Sequence, residues 1–202
     1  MKAILATTYF GPVQWYQKLH RADVVWLEHC DNFVKQTYRN RCIIATAQGT
    51  QALTVPVEHN GPCPMRDIRI SSHGKWRSEH WNALLSAYGD SPFFDFLADD
   101  IRPFFEKKWE FLFDFNFEIT QTLCQLLDIH PNLCLTTHYE RPTLPPAAGD
   151  FRDAIRPKHA LPDPDFQPRP YYQVHAQVHG FRPNLSILDL LFNMGNESIF
   201  YL

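Results

Sequence analysis

Apolar residues fall into short runs near the amino terminus and into helical stripes further along. Ala3 to Thr8 is one such run, closed by Gly11-Pro12, and predicts a buried strand. Val13 to His20 predicts a short helix, and Asp23 to Glu28 (DVVWLE) predicts a second, β-branched strand. Between Tyr38 and Val57 two extended runs flank Thr46-Ala47-Gln48-Gly49-Thr50, the pattern of an antiparallel hairpin, and Asp67 to Ile70 predicts a further strand. Trp76 to Tyr88 then carries helical spacing. Arg77, Trp81, Leu84, Leu85 and Tyr88 fall on the stripe expected to face inward, and Gly89 follows as a stop. Phe93 to Phe105 and Glu110 to Leu127 predict two more helices, and Leu133 to Thr137 another strand.

Strand, loop, helix, strand is how a nucleotide-type α/β fold opens, and right-handed crossover makes the first two strands parallel. The expected fold class is therefore α/β: a single domain over residues 1–202 with a mixed sheet. That sheet has a Rossmann-like N-terminal β-α-β unit plus an antiparallel hairpin insertion, flanked by helices. Between residues 142 and 170 prolines recur at Pro142, Pro145, Pro146, Pro157, Pro162, Pro164, Pro168 and Pro170. This predicts an extended, irregular, unpacked stretch serving as an arm or lid. Beyond it, Ser186-Ile187-Leu188-Asp189 has the form of a capping box with Asp in the third place, opening a short helix from Ile187 to Phe192 that stops at Gly195. The apolar end, Ile199 to Leu202, is expected to dock, within the chain or across a homodimer.

At 202 residues the chain can bury roughly 70% of its unfolded surface without a metal or disulfide staple. Sixteen phenylalanines favour a thick core or an aromatic-lined cleft. The five cysteines are odd in number and form no C-x-x-C pair, which argues against a disulfide framework or zinc knuckle and for the reducing cytoplasm. No window approaches the ~20 apolar residues of a membrane span. A net charge of −3 argues against general nucleic-acid binding but leaves room for a local phosphate pocket.

Four constellations bear candidate chemistry. Lys35, Arg39, Asn40 and Arg41 are the first. In a strand Arg39 and Arg41 share a face, and paired guanidinium forks suit phosphate or carboxylate; a solvated charged face is the alternative. In the second, Arg77 opens a helix whose dipole opposes a cation, a conflict that an anion at the helix start relieves, and His80 one turn on suits acid–base work. A snorkelling arginine and a hydrogen-bonded core histidine are the alternative. The third is Thr7-Thr8-Tyr9 at the carboxyl end of the first strand, where ligands sit in open α/β sheets. The fourth is Glu28, Asp31 and Asn32 after the second strand, acceptors for ligand hydroxyls or else turn formers. His175 and His179 have the spacing of two helical metal ligands, but the glutamate of the metalloprotease motif is missing, so no metal is expected. The chain has no G-x-G-x-x-G, Walker A, nucleophile-elbow or H-x-G-H motif.

Several segments together resemble the WbqC-like protein family. They are Tyr9-Phe10-Gly11-Pro12, Ala22-Asp23, Phe33-x-Lys35 leading into Tyr38-Arg39-Asn40-Arg41, and Leu53-Thr54-Val55-Pro56-Val57. They continue with Trp76-Arg77-x-x-His80-Trp81, Ala87-Tyr88, Lys107-Lys108-Trp109 and the ending Gly180 to Asn193. The resemblance spans nearly the whole chain. It implies a role beside genes for O-antigen and other surface polysaccharides, with amino-acyl transfer to a sugar as one suggested activity. It brings Arg39, Asn40, Arg41, Arg77 and His80 inside family motifs, and adds Asn184 and Asp189 as candidates. Many relatives carry a His-Gln-Pro stretch where this chain has Thr7-Thr8-Tyr9, so a step using that histidine needs another group here.

The function expected is a cytoplasmic transferase acting on a sugar nucleotide or similar phosphorylated donor. His80 and Asp31 are its catalytic candidates, and Lys35, Arg39, Asn40, Arg41, Arg77 and Tyr9 its anion- and substrate-binding candidates. No cofactor can be named from the sequence. The alternative is a non-catalytic interaction protein of a polysaccharide-assembly pathway.

Overall fold

The computed structural model describes residues 1–142 and 147–202; Thr143 to Pro146, part of the proline-rich stretch, lie outside the described residues. Strand β1 (Lys2–Ala6) pairs in parallel with β2 (Val24–Glu28), and β2 with β7 (Leu133–Leu135), giving the order β1-β2-β7. Helix α1 (Val13–Arg21) makes the crossover between β1 and β2. Alternation sorts the strand residues: Ala3, Leu5, Val25 and Leu27 are buried, whereas Ile4, Ala6, Val24 and Trp26 are half-buried on the other face.

Strands β3 (Arg41–Thr46) and β4 (Gly49–Thr54) form the antiparallel hairpin, and β5 (Val57–Glu58) pairs with β6 (Arg69–Ile70). The α/β class, the Rossmann-like opening and the hairpin are therefore present. The parallel and antiparallel strands make separate sheets and are not hydrogen-bonded into one. The strand expected from Asp67 shortens because Met65–Asp67 closes a 3-10 turn first. Gly149 is in the left-handed region (φ +85), and any Cβ there would overlap the Lys2 carbonyl oxygen. That close approach lets the chain run along the free edge of β1, where Ile4 N–H donates to Gly149 O (2.8 Å) and Phe151 N–H to Ile4 O (2.9 Å).

Helix α2 (Trp76–Tyr88) has the expected bounds, but its inward stripe is rotated. Trp76, His80, Leu84, Ala87 and Tyr88 are buried, whereas Leu85 is 50% exposed and Arg77 and Trp81 lie at the margin. The rotation places the Trp76 and His80 rings among Tyr9, Phe105 and Phe115, with centroids 5.2–6.4 Å apart. The helix expected over Phe93 to Phe105 is two, α3 (Phe94–Ile101) and α4 (Pro103–Glu106), because Pro103 lacks the N–H that would continue the first. Helix α5 (Leu112–Leu126) buries the Phe115, Ile119 and Leu123 face.

Residues 147–170 contain no helix or strand, as expected, but they are not unpacked. Asp150, Arg152, Ala154 and Ile155 are buried, and Lys18 of α1 forms an ion pair with Asp163 (2.8 Å) whose two side chains are 2% and 4% exposed. The short helix α6 (Ala176–His179) follows. His175 gives its Nε2 to the Ala87 carbonyl and His179 its Nε2 to the Ala47 carbonyl, two separate elements. Helix α7 (Ile187–Met194) is capped by Ser186 Oγ, which accepts from Leu188 N–H. Asp189 does not complete a capping box. It is fully buried, and its Oδ2 accepts from Tyr171 OH (2.7 Å) and Gln173 Nε2 (2.8 Å) instead. The chain ends in a 3-10 turn that buries Leu202 within the chain, its carbonyl held by the Arg21 guanidinium.

Candidate functional site

Two polar regions stand out. The first is at the carboxyl end of the parallel sheet. Thr7 and Thr8 follow β1, Glu28 ends β2, Thr136 follows β7, and all but Thr136 are buried. Glu28 accepts from Cys30 N–H and Thr136 Oγ through one oxygen (both 2.8 Å) and from the Arg152 guanidinium through the other (2.9 Å). Arg152 also binds both carboxylate oxygens of Asp150 and the Glu140 carbonyl. Asp31 is ion-paired with Arg39, both buried. Burial raises the Asp31 pKa and Glu28 adds to this, while the Arg39 and Arg152 cations pull it down. Burial works to lower the pKa of Arg152, but Asp150 and Glu28 outweigh it and the net shift is upward. Thr8 Oγ, Asp31 Oδ1 and Arg39 Nε, all buried, have no hydrogen-bond partner. An open cleft of about 260 Å³ lies beside Glu28 and Arg152, walled by Trp26, Thr136, Thr137 and His138.

The second region is a cleft of about 340 Å³ at the start of α2, lined by Gly74, Lys75, Arg77, Ser78, Trp81, Arg102, Phe105 and Glu106. No side chain caps α2, so its first N–H groups face this end with the positive pole of the helix. Arg77 stacks on Trp76 (4.8 Å to the ring centroid), its buried Nε has no partner, and burial lowers its pKa from the usual arginine value. Arg102 is held by Glu106 (2.7 Å). Lys75, Arg77 and Arg102 against Glu106 leave the cleft with a net charge of about +2 at neutral pH.

The structure thus divides the candidates expected from the sequence. Asp31 and Arg39 meet each other at the sheet edge. Arg39 and Arg41 do not form a paired fork, because the strand begins only at Arg41. Arg41 donates to Thr54 Oγ (3.0 Å), whereas Arg39 lies in the preceding turn. Asn40 donates its amide N–H to Val55 O (2.9 Å) while its buried Oδ1 has no partner, and Lys35 is exposed. Tyr9 and His80 meet each other in the core, OH to Nδ1 at 2.8 Å. Burial takes the His80 pKa down to about 4, so its ring is neutral at pH 7. Arg77 alone of the expected residues lines the cationic cleft. Arg152 was missed because nothing in a proline-rich run marks an arginine for burial; its only local signal is the acidic Asp150 two residues before it.

The family pattern of WbqC-like proteins matches residues 7–145, more than half of the chain, and covers the first strand's loop, the Asp31–Arg39 turn and all of α2. The chain belongs to the WbqC-like protein family. It is also similar to the uncharacterized protein Rv1507c of Mycobacterium tuberculosis, 28% identical over 192 residues that cover 84% of this chain and 83% of that protein. No solved structure matches. The WbqC-like match ends just before the segment that supplies Asp150 and Arg152, so two of the five buried charged side chains at the sheet edge come from outside it. Among the described residues no helix is long and apolar enough to cross a membrane, and all five cysteines are free thiols.

Proposed function

We propose that this WbqC-like protein is a transferase of surface-polysaccharide assembly that takes a sugar nucleotide or similar phosphorylated donor in the cleft at the start of α2. The observation that carries the reading is the unpartnered, buried Arg77 Nε in a cleft with excess positive charge, on a chain whose net charge is −3. A phosphate there satisfies that donor, meets the uncapped N–H groups of α2 and neutralises Lys75. Trp81 and Phe105 offer an apolar wall for a base or acyl group. Stabilising charge on a departing phosphate is where catalysis in such transfers chiefly arises. In this reading His80 is a positioning residue: neutral, held by Tyr9, and packed behind Trp76. Lys35, Asn40 and Arg41 take no part in the cleft.

Calorimetric titration with uridine diphosphate, a uridine-diphosphate sugar and the unphosphorylated sugar tests the reading. The phosphorylated ligands should bind and the plain sugar should not, with affinity falling as salt is raised. Removing a charged hydrogen bond costs roughly 1.5–3 kcal/mol, so Arg77→Ala should bind about ten- to a hundredfold more weakly. Unchanged affinity in Arg77→Ala, with its fold intact, removes the cleft from consideration. A second reading, a non-catalytic interaction protein, rests on Phe96 and Phe200, which stand 78% and 71% exposed. If no small molecule binds, those two rings are where a protein partner is to be sought by crosslinking.

A further inference from the structure

The sheet edge holds a feature that the phosphate cleft does not use. Among the described residues, Arg152 alone lines both the open 260 Å³ cleft and a small inner void of about 10 Å³, room for a single water, walled by Thr8, Thr37 and Arg39. The arginine side chain is therefore a partition. On its outer side lie the Trp26 indole, Thr136, Thr137 and His138. On its inner side lie Thr8 Oγ and Arg39 Nε, both without a partner on residues 2% and 4% exposed. Neither orphan has a protein partner, and a buried hydroxyl or guanidinium N–H left unpaired opposes folding.

Charge indicates what the edge is built to hold. Arg152 and Asp150 come together on the arm and nearly cancel. Apart from them the edge holds Glu28, Asp31 and Arg39, so even with the arm in place one negative charge is left in surplus, and the Arg152 guanidinium is shared between Glu28 and Asp150. An edge designed for an anion would carry the opposite surplus. The outer cleft is small, below the roughly 300 Å³ at which pockets for drug-sized molecules begin. Its walls pair the Thr136 and Thr137 hydroxyls and the His138 imidazole with the Trp26 indole, and such a pairing suits a ring that carries both polar groups and C–H groups.

We infer that the carboxyl edge of the parallel sheet is a second binding site, for a small hydroxyl-rich ligand bearing one amine, and that Arg152 of the arm occupies its cation position when no ligand is bound. The ligand's ring lies in the outer cleft against Trp26. Its ammonium replaces the Arg152 guanidinium on Glu28, within reach of the Asp31 charge. Displacement of Arg152 joins the two voids and gives Thr8 and Arg39 the hydrogen-bond partners they lack.

The test uses the full chain and no phosphate, so its outcome is independent of Arg77. Glucosamine, N-acetylglucosamine and glucose are titrated into Arg152→Ala by calorimetry. Glucosamine, the only charged one, should bind at least tenfold more tightly than the other two, and Glu28→Gln in the same background should abolish the preference. Equal binding of all three, or none, overturns the assignment. Should Arg152→Ala fail to fold, the wild-type chain decides. Amide exchange over residues 151–155 should quicken with saturating glucosamine and not with N-acetylglucosamine; identical exchange in both overturns it.

Discussion

Tyr9 and His80 show how a residue that reads as catalytic can be part of the core. The imidazole is buried, its Nδ1 faces the Tyr9 hydroxyl, and Trp76 and Phe105 pack edge-on against it. Protonation in the folded state would put a charge among aromatic rings, which is why its pKa lies at about 4 in place of the ordinary value near 6.5. Between those values the unfolded chain binds a proton that the folded chain does not. Stability from this group is therefore complete above about pH 6.5 and drains away as pH falls toward 4, by up to about 3 kcal/mol. Asp31 and Asp189, raised by burial, slope the other way above the ordinary carboxylate range, so the wild type alone does not isolate the histidine. Urea unfolding at pH 7 and pH 4.5 of the wild type and His80→Gln does. The wild type should lose more on acidification than the variant, and equal losses would mean that His80 is charged in the fold.

At the scale of elements, the arm is tied to α1 by charge. Lys18 reaches Asp163 across 145 positions of sequence, and Gln14 one turn earlier donates to the same carboxylate (2.8 Å). Breaking such a pair leaves an uncompensated buried charge, which costs about 3–5 kcal/mol, whereas removing both partners costs far less. Asp163→Ala should therefore destabilise strongly and open residues 147–170 to proteolysis, and Lys18→Met with Asp163→Leu should recover most of the loss. A double variant no better than the single one would show that the pair is not what holds the arm. This contact also marks where sequence reading stops. Strands β1, β2 and β7, helix α1, the hairpin and the bounds of α2 were legible because each follows from a local period or a turn residue. The rotation of α2 was not, since Trp76, His80 and Trp81 all combine an apolar body with a polar tip and the period alone does not say which enters the core. The arm's packing was not, since a proline-rich run with scattered charges looks the same whether its charges meet water or Lys18. The candidate site followed the same rule: Arg77 was visible as a cation opposed by its own helix, but Arg152 is drawn into the sheet edge by Glu28, 124 residues away, as well as by its neighbour Asp150.

For the molecule as a whole, the last thirty residues return to the first loop and complete the core there. Val13 N–H donates to Leu185 O (3.0 Å), Ile187 N–H to Gly11 O (2.8 Å) and Ser186 Oγ to Phe10 O (2.8 Å), so α7 is anchored on the turn that ends β1 and starts α1. Gly195 makes the sharp exit from α7 (φ +53), where a Cβ would strike the Phe93 ring. Ile187, Leu188, Leu190, Leu191 and Phe192 are all at most 1% exposed. Five such side chains at about 1.5–3 kcal/mol each contribute on the order of 10 kcal/mol, comparable with the whole net stability of a typical domain. The family match stops at residue 145, but a chain cut there would expose the Tyr88 and Phe94 rings that pack on Phe192, and leave the edge of β1 without its cover. Residues 1–141 expressed alone should accordingly keep helical circular dichroism in the far ultraviolet, lose the near-ultraviolet aromatic signal and bind hydrophobic dye. A cooperative melt and dispersed amide spectrum from that fragment would instead make residues 147–202 an addition to a finished domain. The core would then close without α7, and the first loop and the sheet edge would not depend on it.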